Sequence, residues 1–169
     1  MLAAQGDPDA FSELISRHQS VVFNIAYRML GNRRDAEDAA QDAFIRSFLG
    51  LDTFDTGRPF LPWIKQITIN ICLNRIKKNH PTPSLDEGLP PPREPSPGPE
   101  AQTVYRERDT QILAAILSLS PRHRSVIELR HFQNLSYADI SEALDRPLSD
   151  IKSDLFRARK ILAEKLKDL

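Results

Sequence analysis

Eight of the chain's thirteen prolines fall between Pro81 and Pro99, in the stretch PTPSLDEGLPPPREPSPGP. Proline removes a backbone donor and fixes φ, so neither a continuous helix nor an inner strand runs through such a segment. The expected form is a semi-rigid, polyproline-like tether. It separates two folded parts, 1–80 and 103–169, with 81–102 as the linker. Parts of this size fold alone when their helices pack well.

An apolar fraction of 40% and a charged fraction of 27% suit packed, water-exposed domains. Lysine plus arginine equals aspartate plus glutamate at 23 each, so overall charge does not mark a nucleic-acid binder. Locally the balance differs: ten basic against nine acidic residues in 1–80, one against four in 81–102, and twelve against ten in 103–169. Any DNA contact must therefore come from individual faces.

Cys72 is the only cysteine, which excludes an internal disulfide and a cysteine-pair zinc site; among Ile67, Ile69, Ile71 and Leu73 it reads as a small core residue. No stretch approaches the roughly 18 apolar residues of a membrane span, and MLAAQGDPDAF lacks the layout of a secretory signal. The expectation is a cytoplasmic protein without membrane insertion. There is no glycine-rich phosphate loop, and His18, His80, His123 and His131 are scattered without a nucleophile or metal-ligand spacing. The reading is of a non-enzyme with no catalytic residue, metal or cofactor.

In the first part, Phe11, Leu14, Ile15, His18, Val22, Ile25, Ala26 and Met29 recur at three- and four-residue steps, the stripe of an amphipathic helix ended by Gly31 and Asn32. A second helix from about Arg34 gathers Ala36, Ala40, Ala43, Phe44 and Ser47 on one face. Turn chemistry breaks the pattern between Gly50 and Pro62; Trp63, Ile64, Ile67, Ile71 and Cys72 then resume helical spacing toward a basic end at Arg75, Lys77 and Lys78. Trp63 falls in the apolar stripe, which favours core packing over a base-stacking wedge.

In the second part, Ile112, Leu113, Ile116 and Leu117 form one helix, and Pro121 opens another that holds Val126, Ile127, Leu129 and Phe132. Ser136 with Asp139 three residues on reads as an N-cap for a short helix, Tyr137 to Leu144. Asp145, Arg146 and Pro147 turn the chain. A long helix follows, its apolar stripe Leu148, Ile151, Leu155, Ala158 and Leu162 opposed by Lys152, Ser153, Phe156, Arg157 and Lys160. Eight helical residues, a three-residue turn and a second helix with a basic face have the layout of a helix-turn-helix, whose second helix enters a major groove. Spacing alone also allows a generic helical hairpin. Arg157, Arg159 and Lys160 favour DNA, whereas Asp150 and Asp154 read as carboxylates that repel phosphates.

The stretch LSPRHRSVIELRHFQNLSYADISEAL followed by PLSDIKSDLFRARKIL resembles the promoter-reading C-terminal domain of sigma factors. Independently, AYRMLGNRRDAEDAAQDAFIRSF resembles the polymerase-binding helices of the sigma-70 superfamily's second domain, and FLPWIKQITINICLNRIKK the helix after its promoter-melting loop. Both likenesses occur in the right order and no third domain intervenes, which is similar to the extracytoplasmic-function group. The resemblance implies an all-α fold: a sigma domain 2 bundle (1–80) and a sigma domain 4 helix-turn-helix (103–169) joined by the proline-rich linker. It implies an alternative sigma factor that binds core RNA polymerase and directs initiation at particular promoters. The competing reading is a stand-alone helix-turn-helix regulator that binds duplex operator DNA.

Carried over by the resemblance, Asp38, Gln41, Asp42, Phe44, Ile45 and Arg46 are the candidate polymerase contacts, with acid and amide groups around one exposed aromatic. The loop 52–60 matches the segment that captures a flipped base of the minus-ten non-template strand. Asn70 and Asn74, one turn apart, would bond base edges or phosphates there, and Lys65, Arg75, Lys77 and Lys78 would hold the backbone. Lys152, Ser153, Phe156 and Arg157 would read the minus-thirty-five duplex, with Ser149 and Arg159 on phosphates. Family members usually carry glycine and threonine at the positions of Ser149 and Asp150, and often arginine at that of Asp154, so promoter sequence is expected to differ while binding mode does not. The acidic residues Asp86, Glu87, Glu94 and Glu100 either mimic nucleic acid in a basic channel or belong to a passive spacer. Many relatives are held by an anti-sigma protein, which makes one a candidate further partner.

Overall fold

The computed structural model describes residues 8–79 and 99–167. The segment 80–98, most of the expected linker, lies outside them, as do Asp86, Glu87 and Glu94 and the side chain of Glu100. The described residues are helical without strands and fall into two compact units, 1–80 and 81–169.

In the first unit, α1 (Pro8–Leu30), α2 (Arg33–Leu49) and α3 (Phe60–Asn79) pack pairwise into a three-helix bundle. Its core is the predicted α1 stripe, with Val22, Ile25, Ala26 and Met29 fully buried, closed by Ala36, Ala39, Ala40 and Ala43 of α2 and Ile64, Ile69 and Cys72 of α3. The alanines explain how α2 approaches so closely: a side chain of one carbon leaves backbone-to-backbone room and costs no rotamer entropy. Gly31 ends α1 at φ 84, a left-handed geometry that only glycine adopts without strain, and its N–H bonds Tyr27 O at 2.9 Å. Asn32 immediately caps α2, its Oδ1 accepting from Asp35 N at 2.7 Å. Beyond α2, Phe54 stacks on Trp63 with centroids 4.5 Å apart, and Phe60 meets both rings edge-on. Trp63 is thus a packing residue, and the loop between α2 and α3 is pinned from inside by Leu51 and Phe54.

The second unit begins earlier than the proline content suggests. Helix α4 (Pro99–Leu117) takes in the last four residues of the expected linker, because a proline in the first turn lacks only an N–H that has no helical partner. Its C-terminus is closed by the buried Arg124 of α5 (Pro121–Ile127), whose Nη2 donates to Leu117 O at 2.6 Å and Leu119 O at 3.0 Å. A guanidinium there satisfies orphan carbonyls and opposes the negative end of the helix dipole. Instead of one uniform helix through Phe132, α5 passes into a π-helical turn, Glu128–Phe132. Phe132 is consequently exposed rather than part of the core. The wider turn is held by Gln133 Nε2 donating to the buried Glu128 carboxylate at 2.8 Å and by Arg130, which donates to Leu135 O and lies over the Tyr137 ring.

Helix α6 (Tyr137–Leu144) opens on a complete capping box between Ser136 and Asp139 and ends at Asp145 with φ 49. Three residues later α7 (Leu148–Lys165) begins. It packs on α5 and α6 through Ile151, Leu155 and Ala158, while Leu148, placed on that stripe by its spacing, lies at the stripe's edge and is exposed.

Candidate polymerase and nucleic-acid interfaces

On α2 the residues Asp38, Gln41, Asp42, Ile45 and Arg46 follow helical spacing along one outward stripe, with Ile45 half exposed. Phe44 does not join them. It is 8% exposed and packs with Ala36, Ala40, Ala43 and Ser47 on the opposite, inward face. The exposed aromatic of this helix is Phe48, beside Ile45 and an almost bare Leu49 at 73% exposure. Phe48 packs edge-on against the buried Phe11, with ring centroids 5.0 Å apart, and the remaining surface of the strip makes it a candidate interaction patch. The sequence held the signal, since 45, 48 and 49 are spaced three and four apart.

On α3, Asn70, Asn74, Lys77 and Lys78 form an exposed stripe. Two of the predicted backbone holders stand apart from it. Lys65 lies toward α1, where it and Arg17 add to burial in lowering the pKa of His18. Arg75 leans to α2 and lies 3.8 Å from Asp42, which also accepts from Arg46 at 3.2 and 3.3 Å. A candidate DNA contact and a candidate polymerase contact are therefore direct neighbours.

On α7, Ser149, Lys152, Ser153, Phe156, Arg157 and Lys160 share one exposed stripe, and Phe156, at 72% exposure, is the largest apolar surface on it. Arg159 sits at the stripe's edge and donates from Nε to His131 Nε2 at 3.1 Å. Burial, with Arg159 and Arg130 nearby, lowers the His131 pKa, which favours the neutral ring that accepts this bond. Asp154 overturns its expected role. Only 2% exposed, it faces inward with Ile151, Leu155 and Ala158, and it receives Arg146 and Arg122 on one carboxylate oxygen, the latter at 2.7 Å. A carboxylate neutralised by two guanidinium groups presents nothing for phosphates to avoid. Asp150 is likewise paired with Arg122, at 2.9 Å.

Burial alone raises the Asp154 pKa, but the hydrogen bonds and charges of Arg122 and Arg146 outweigh it and hold the group below its ordinary 3.8. A depressed folded-state pKa means stability that is present above 3.8 and lost as pH falls through the lower folded value. Thermal melts of Asp154→Asn are therefore expected to lie below those of the unmodified chain at about pH 7. The gap should close under strong acid; one that persisted there would show that the carboxylate's charge is not what the guanidinium groups hold.

Two known families match the two halves. The sigma-70 region 2 family matches residues 14–82, and the sigma-70 region 4 family matches residues 109–162. Over 98% of this chain and 93% of the relative, the sequence is 36% identical to the ECF RNA polymerase sigma factor SigW of Bacillus subtilis. It is 28% identical to the ECF RNA polymerase sigma-E factor of Haemophilus influenzae, over 98% of this chain and 92% of that one. In fold it is similar to CnrH, solved in complex with the cytosolic domain of CnrY, at a TM-score of 0.71 and 23% identity over 99% of this chain and 94% of that one. It is equally similar, at 0.71 and 21% identity, to the sigma factor RpoE of Bartonella quintana, solved with the anti-sigma factor NepR, over 94% of this chain and 97% of that one. With this much of its length shared with SigW, the chain belongs to the extracytoplasmic-function group of sigma-70-type RNA polymerase sigma factors.

Proposed function

We propose that the two units divide the work of a sigma factor between them. The first, 1–80, binds core polymerase through α2 and engages the separated non-template strand at the minus-ten element through the loop after α2 and the Asn70–Asn74 stripe. The second, 103–169, reads the minus-thirty-five duplex through α7. The observation that carries this is the uninterrupted exposed stripe from Ser149 to Lys160, borne on a helix-turn-helix with a three-residue turn. Lys152 and Arg157 donate to base acceptors, and Phe156 offers an apolar surface for thymine methyls.

The polymerase contact extends beyond the charged stripe to Ile45, Phe48 and Leu49, an apolar centre with a charged rim, as interfaces of this kind are built. Arg75 shares Asp42 with Arg46, so a polymerase contact that engages Asp42 would release Arg75 for DNA phosphate. The protein acts in the cytoplasm and performs no catalysis itself; polymerase supplies the chemistry. An anti-sigma protein is a further proposed partner, on the likeness to RpoE of Bartonella quintana, which was solved with one. Among the described residues no helix is long and apolar enough to cross a membrane.

The deciding experiment is run-off transcription on genomic fragments by core polymerase with and without the chain. New start sites should arise only with it. Tight binding to a twofold-symmetric duplex in the absence of polymerase, with no new transcripts, would identify a stand-alone regulator instead.

A further inference from the structure

Asp154 lies on the inward stripe of α7 rather than on its DNA-facing stripe, and three basic side chains converge on its carboxylate. Its Oδ2 receives Arg122 from α5 and Arg146 from the turn before α7, and its Oδ1 lies 3.7 Å from His123 Nε2. Arg122 does not stop there, for its Nη2 also donates to Asp150 at 2.9 Å. Asp150 and Asp154 are one turn apart on α7, about 6 Å along its axis. One guanidinium on α5 therefore grips α7 at two successive turns, while a second grips it from the turn. Two carboxylates meet two guanidinium groups, so the charges of these four side chains balance.

Grip at two heights constrains a helix in a way that apolar packing does not. Ile151, Leu155 and Ala158 resist separation of α7 from the unit, but a greasy face tolerates small rotations about the helix axis. A rotation of roughly 20° on a helix of about 5 to 6 Å outer radius carries a side-chain tip about 2 Å sideways. That displacement breaks a hydrogen bond, which does not survive beyond roughly 3.5 Å. The helix has little tolerance if its face is to meet base edges.

We infer that Asp154 is a positioning residue for promoter reading: with Arg122, Arg146 and Asp150 it fixes the rotation and exit angle of α7 and so the direction in which Lys152, Ser153, Phe156 and Arg157 point. The inference rests on the proposal that α7 reads duplex DNA. It makes the charges of Asp150 and Asp154, which by sequence argue against a DNA-binding helix, the means by which that helix is aimed.

The test uses the full chain with core polymerase, on a promoter found in the run-off experiment and on the same promoter with its minus-thirty-five element scrambled. Asp154→Asn keeps the shape and removes the charge. It should lower the ratio of transcription from the intact to the scrambled promoter about tenfold, the equivalent of roughly one groove contact. Competition with the unmodified chain for core polymerase should stay unchanged.

Loss of stability alone is separated by a second variant. In Asp154→Asn combined with Arg146→Gln, no unpaired guanidinium remains beneath α7, so the melting temperature should recover. The clamp stays broken, so the ratio should stay low. A ratio that recovered together with the melting temperature would reduce Asp154 to a structural role and overturn the inference, as would an Asp154→Asn ratio equal to that of the unmodified chain. Arg157→Ala in the same assay isolates the underlying proposal: if it leaves the ratio intact, α7 does not read the duplex at all. If Arg157→Ala collapses the ratio and Asp154→Asn does not, only the positioning role fails.

Discussion

Changing Lys152 and Arg157 together to alanine is expected to cut transcription from a cognate promoter by about a hundredfold, each groove contact being worth roughly 1 to 3 kcal/mol. Both side chains are exposed on α7, two and three residues from the buried Asp154, and neither is part of its cluster. Surface substitutions away from such features shift stability by only about 0.5 kcal/mol. The melting temperature should therefore hold, and so should competition for core polymerase, because that contact is proposed to lie on α2 of the other unit. The loss should be confined to promoters that depend on their minus-thirty-five element, and it should not be relieved by adding more protein once core polymerase is saturated. A variant that lost polymerase binding and promoter recognition equally would indicate an unfolded chain rather than a blind one.

The same helix shows how far residues alone reveal a site. Its turn was legible because turn chemistry is local: the Ser136–Asp139 cap and the turn at Asp145 each involve neighbours a few residues apart, and both stand where the sequence suggests. The role of Asp154 was not, because its partners lie 8 and 32 positions away and a charge in isolation says only that it prefers water. Its position did carry a hint, since 151, 154, 155 and 158 step by three and four and place it on the inward stripe. A polar residue on an apolar stripe is a request for a partner, and Arg146 and Arg122 answer it.

Phe44 teaches the converse. Its periodicity placed it with Ala36, Ala40, Ala43 and Ser47, and family likeness placed it on the polymerase face; it can occupy one of the two, and packing decided. The π-helical turn after α5 and the capping of α4 by Arg124 were invisible for a further reason. Both depend on groups brought together by the tertiary fold, the first through the buried Glu128 and the second across the bend at Ser120. Helix propensity cannot distinguish an i+4 from an i+5 ladder when either satisfies the backbone.

Two substitutions on α2 should fail for opposite reasons. Asp38→Ala combined with Ile45→Ala removes an exposed acid and a half-exposed apolar group from the outward stripe while leaving the alanine-lined core untouched. The few hot-spot residues of an interface cost about 2 kcal/mol or more when truncated, and Asp38 and Ile45 are proposed to be among them. The pair should therefore weaken competition for core polymerase by at least roughly thirtyfold, with melting of the first unit shifted little. Phe44→Ala should abolish polymerase binding too, but through the fold: emptying a buried aromatic site costs about 3 to 5 kcal/mol, a large part of the roughly 5 to 15 kcal/mol that holds a domain together. Its melting temperature should collapse along with its binding, and at reduced temperature, where the bundle refolds, affinity should return. The Asp38 and Ile45 variant should gain nothing from cooling. Co-purification with polymerase that matched the unmodified chain would remove the outward stripe from the interface, and a Phe44→Ala protein that melted normally yet failed to bind would put that ring back in the contact.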